Sequence, residues 1–105
     1  MGGIGQGVMG GFPPHAGPKW TQDQAIVYEA ALEAINDVIA GYSEQIAAEQ
    51  ERPAPKASRI DWLEMRTDHA TAIMASLDVA DTDNVRHALI EYSGIVRARD
   101  NPALS

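Results

Sequence analysis

Residues 22–51, QDQAIVYEAALEAINDVIAGYSEQIAAEQE, decide the fold. Tyr28, Leu32, Ile35, Ile39, Tyr42 and Ile46 recur at spacings of 4, 3, 4, 3 and 4, which lines six bulky side chains along one stripe of an α-helix. One residue earlier each time runs a row of smaller groups: Val27, Ala31, Ala34, Val38, Gly41 and, past Gln45, Ala48. A helix with two adjacent apolar rows, one bulky and one small, is built to touch two neighbours. The small row permits close backbone approach. It also accounts for Gly41, which inside a helix otherwise costs about 1 kcal/mol.

The ends of this stretch carry their own signals. Thr21 is an N-cap, and Gln24 completes a T-x-x-Q capping box, with Trp20 placed to pack on the first turn. Pro53 and Pro55 stop the helix near Glu51. At 1.5 Å per residue it is about 44 Å long.

Further along, Ile60, Leu63, Thr67, Ala70, Met74 and Leu77 repeat the helical spacing, starting from a cap at Ser58 or Asp61. A turn over Asp78–Asp83 offers a new cap at Asp81 or Thr82. The third helix carries Val85, Leu89, Tyr92 and Val96, flanked by Ala88 and Ile95, and fades before Asn101-Pro102. Neither a β-type alternation nor an internal repeat occurs. Three helices with short connections predict an all-α, antiparallel three-helix bundle over residues 19–101, with one long N-terminal helix. The second and third helices are each about 18 residues, so the first overhangs them. Its overhanging end either frays or is covered by a second copy or a partner.

Residues 1–18 hold every glycine except Gly41 and Gly94, together with Pro13, Pro14 and Pro18. Such a segment reads as a disordered Gly/Pro-rich arm, and residues 102–105 as a short tail. Val8, Met9 and Phe12-Pro13-Pro14 give the arm a means of docking in a groove. Gly5-Gln6-Gly7-Val8-Met9-Gly10 spells G-x-G-x-x-G, but no strand precedes it and no helix opens on it, so the nucleotide reading fails.

A chain of 105 residues suits one domain. Its net charge of −7 disfavours direct contact with nucleic acid or an anionic membrane, and allows a basic partner. It contains no cysteine, which excludes disulfides and thiolate chemistry. No apolar run reaches the ~18 residues of a membrane span. Lys19 is the first basic residue, and Gln6 stands where a myristoylation signal wants Ser or Thr. A cytoplasmic protein is expected. Arginine outnumbers lysine and alanine is abundant, which suggests a bacterial source.

Chemistry finds little support. Glu29, Glu33 and Asp37 lie at i, i+4, i+8, as do Asp83, His87 and Glu91, but both sets sit opposite the core stripes and the Glu-x-x-His string of helical di-metal sites is absent. No serine stands in a nucleophile elbow. The heptad rows leave no room for a buried polar cluster. Neither catalysis, a metal nor a cofactor is therefore expected.

Interaction is better supported. Glu29, Glu33 and Asp37 repel one another mildly, and no basic residue lies between Lys19 and Arg52 to relieve them. They are either answered by arginines of the other two helices or offered to a basic partner. Trp62, Arg66, His69 and Ile73 form a second stripe, of residue types that anchor interfaces. Ile90 points away from the third helix's core stripe. The expected function is a protein–protein interaction module, regulatory or accessory, in a bacterium or on a mobile element, with a homodimer plausible. The alternatives are a structural subunit whose arm orders against neighbours, and an acidic mimic of nucleic acid.

Overall fold

The computed structural model describes residues 20–101. The predicted arm, its G-x-G-x-x-G string and the tail lie outside these residues. Three helices make up the described chain: α1 (Gln22–Gln50), α2 (Ala57–Ser76) and α3 (Thr82–Asp100). There is no strand among the described residues. The predicted three-helix bundle with one long N-terminal helix is what the chain forms.

Each helix begins for a stated reason. The capping box at α1 is complete: the Gln24 N–H donates to Thr21 Oγ1 at 3.1 Å, and the Thr21 N–H donates to Gln24 Oε1 at 2.7 Å. Gln24 Nε2 also donates to Thr82 Oγ1 at 2.7 Å, which ties the start of α1 to the start of α3. Asp81 caps α3 by accepting from the Asn84 N–H at 3.3 Å.

The start of α2 differs from expectation. Neither Ser58 nor Asp61 caps it. The N-cap is Lys56, whose side chain makes no capping bond. Its backbone N–H donates instead to Glu49 Oε2 at 3.0 Å, so a carboxylate from the last turn of α1 supplies the negative charge that the helix N-terminus favours. Glu49 is buried at 4% exposure. Arg52 and Arg59 stand 3.5 and 4.0 Å from its other oxygen. This one side chain joins the end of α1 to the start of α2 across the Pro53–Pro55 connection.

Packing follows the two rows on α1. Tyr42, of the bulky row, meets α2: the Trp62 ring stands edge-on to it, with centroids 6.5 Å apart and planes at 77°. The small row faces α3, and Ala34 shares a groove with Leu89 and Val96. The core is a single cluster around Ile35, Val38, Leu63, Val85 and Tyr92. Nearly all the interhelix packing runs through α1, while α2 and α3 scarcely touch each other. Thus α2 runs antiparallel to α1, and α3 runs parallel to it, with Thr82 beside Gln24 and Arg99 beside Asp37.

Gly41 is buried, although no helix backbone crosses it closely. A Cβ there would lie 2.7 Å from Arg99 Nη1, so the guanidinium of Arg99 occupies the space. From that position it donates to the Asp37 carbonyl at 3.3 Å and to Asp37 Oδ1 at 3.1 Å. The glycine therefore serves a side chain, a long arginine lying flat across α1, where sequence spacing suggested a backbone.

Buried polarity is greater than the heptad rows implied. Besides Glu49, the hydroxyl of Tyr92 is enclosed and has no hydrogen-bond partner among the described residues. Burial, reinforced by the charge of Glu91, raises its pKa above the ordinary tyrosine value, with Arg66 opposing. A raised folded-state pKa means that unfolded tyrosine ionises first as pH rises. Stability from this group is therefore whole below about pH 10 and lost as pH climbs through the folded pKa. Tyr92→Phe should flatten that alkaline decline and leave stability at neutral pH unchanged or slightly higher, as urea midpoints measured from pH 8 to 11 would read.

Candidate functional site

The face shared by α1 and α3 is the most organised part of the surface. Ile26, Ala30, Glu33 and Asp37 follow one another on α1 at spacings of 4, 3 and 4, so they share a stripe. On α3, Arg86, Ile90, Ser93 and Arg97 repeat the same spacings. Between the stripes lies an open groove of about 360 Å³, with Ala30, Ala34, Leu89 and Val96 on its floor. Glu33 and Asp37 form its acidic wall; Ser93 and Arg97 line the other side. Ile26 and Ile90 are 59% and 71% exposed, more than any other large apolar residue described.

The predicted site residues divide between two regions. Glu29, Glu33 and Asp37 are all exposed on α1, as their spacing required. Asp37 is already engaged by Arg99, so part of the acidic stripe is answered within the chain. Hydrogen bonds from Arg99 to the side-chain carboxylates of Asp100 and Asp37 raise its pKa further above the guanidinium norm. Glu33 belongs to the α1/α3 groove, and Glu29 borders a separate shallow cleft with Trp20, Tyr28 and Val79. Ile90 sits on the same α3 stripe as Arg97.

The α2 stripe of Trp62, Arg66, His69 and Ile73 runs along the edge of the core, with two of its four residues exposed and two half-buried. Ile73 is half-buried against the core. Arg66 Nε donates to Tyr42 Oη at 3.4 Å, a long bond that is nevertheless the main cause of its raised pKa. Trp62 is half-exposed over Tyr42, and His69 is open to solvent. Met65, 56% exposed, falls between them on the same side and was missed. Its position, three after Trp62 and four before His69, was the available signal.

Sequence reasoning also missed Ile26, Ala30 and Arg97. The matching 4-3-4 spacings were present, but the bulkier core rows carry the stronger periodic signal. Among the described residues, no three His, Asp or Glu side chains gather as a metal site would require. No helix among them is long and apolar enough to cross a membrane. Comparison with family models, curated proteins and solved structures finds no match to this chain.

Proposed function

We propose that this chain works as a helical protein-interaction module, contacting another polypeptide through the outward faces of its helices. The observation that carries the reading is the α1/α3 face. Its groove has Glu33 and Asp37 on one side and Arg97 on the other, and the outward stripes of the same two helices carry Ile26 and Ile90, which the core does not use. Contiguous exposed apolar surface rimmed by polar and charged groups marks protein contact surfaces. Trp62 and Met65 on α2 give the module a second, smaller contact area. Arg97 and Arg99 beside the acidic stripe weigh against the nucleic-acid mimic, whose surface needs unbroken negative charge. A regulatory or accessory role in a bacterium suits the composition.

Co-purification from the source cells tests this, using tagged wild type alongside Ile90→Glu and Trp62→Glu. Ile90→Glu should melt like wild type, while Trp62→Glu, which loses the edge-on contact with Tyr42, should melt a few degrees lower and still fold. A stoichiometric protein, or the untagged chain itself, should accompany wild type and be lost with at least one variant. Recovery of neither, or recovery indifferent to both substitutions, would remove the reading.

A further inference from the structure

We propose that the α1/α3 face is a self-association surface, on which a second copy of this chain docks with its α3 over α1. The inference rests on the interaction-module reading and names the partner. Its basis is charge complementarity within one face.

The two outward stripes are counterparts. On α1 the order is Ile26, Ala30, Glu33, Asp37; on α3 it is Arg86, Ile90, Ser93, Arg97. The helices run parallel and in step, since Gln24 touches Thr82 and Asp37 touches Arg99. Ala30 therefore stands near the level of Ile90, and Asp37 near that of Arg97. A surface bearing both halves of a complementary pair side by side meets the condition for a two-fold interface, where residue i contacts j and j contacts i.

Only one orientation of the two-fold axis uses this pairing. An axis parallel to the helices sets α1 of each copy over α3 of the other without changing level. Ile90 then rests on the small side chain of the other copy's Ala30, and the stem of Arg86 covers Ile26. Asp37 comes opposite Arg97, and Glu33 opposite Ser93, one turn from the same arginine. An axis perpendicular to the helices would instead lay α1 on α1 and bring acid against acid, which like-charge repulsion opposes. The chain's net charge of −7 also opposes association at long range, so charge reversal reads the contact more cleanly than added salt does.

Sedimentation equilibrium of the full chain provides the test. Wild type should dimerise with a dissociation constant between about 1 μM and 1 mM, the range of a small, partly polar interface. Ile90→Glu, which carries a negative charge onto the acidic wall of the other copy, should weaken association at least about tenfold. The double variant Glu33→Arg/Asp37→Arg should be monomeric alone, as should Arg97→Glu. Mixed together they should associate one to one, because each supplies the charge that the other lacks. Thermal melts of each variant confirm that it folds. A wild type monomeric throughout that range, or variants that stay apart when mixed, overturns the proposal. So does a dimer indifferent to Ile90→Glu. In each case the module reading is still judged separately, by the co-purified partner.

Discussion

Replacing Ile35 with alanine should cost about 3 kcal/mol of folding stability, whereas the same change at Ile90 should cost no more than about 0.5 kcal/mol. Both are isoleucines in helices of one small domain. Ile35 is fully enclosed in the central cluster under α2 and α3, and Ile90 is 71% exposed. Truncation at Ile35 removes three carbons from a packed interior and leaves a cavity that three helices can only partly close. A unit of this size unfolds with a small entropy change, so the loss should lower the melting temperature by about 15 °C. Thermal melts of the two variants check the difference. Equal shifts would mean that the core is not where the α1 rows put it.

Glu49→Ala should destabilise the bundle by about 2 kcal/mol, a large effect for a carboxylate at a chain reversal. The substitution leaves the Lys56 N–H without its acceptor and removes the negative charge at the N-terminus of α2. The flanking arginines, 59% and 48% exposed, contribute little to this figure. Glu49→Gln keeps an oxygen acceptor and loses only the charge, so it should cost about half as much. Urea unfolding gives both values. Amide exchange at Lys56 should quicken in the alanine variant, and unchanged exchange there would show that the bond does not hold the α1–α2 junction.

Particular residues explain which features the sequence discloses and which it withholds. Apolar spacing is a local property of a helix, so the two rows on α1, the Thr21–Gln24 capping box and the Asp81 cap are legible from residue order alone. Long-range polar bonds are not local. Glu49 looks like one of many surface acids on α1, and only the return of the chain through Pro53 and Pro55 brings the Lys56 N–H to it. The same holds for Gly41, whose small size answers an arginine at the far end of α3. The candidate site is half legible. Glu33, Asp37 and Ile90 stand out by their spacing, and the short connections already imply that α3 runs parallel to α1. The level at which the two helices meet is instead set by long-range contacts such as Gln24 to Thr82 and Asp37 to Arg99. On α2, Trp62 and His69 are exposed while Ile73 is half-buried against the core, as befits a stripe that borders the apolar row.

The central claim is that the outward stripes of α1 and α3, unused by the core, are where another chain docks. Amide chemical shifts of the full chain, followed as its concentration is raised or a recovered partner is added, test this most directly. The account predicts progressive changes at Ile26, Ala30, Glu33, Ile90 and Ser93, with the amides of Ile35, Leu63 and Val85 unmoved. Changes centred on the core residues, or no change under either condition, would contradict it.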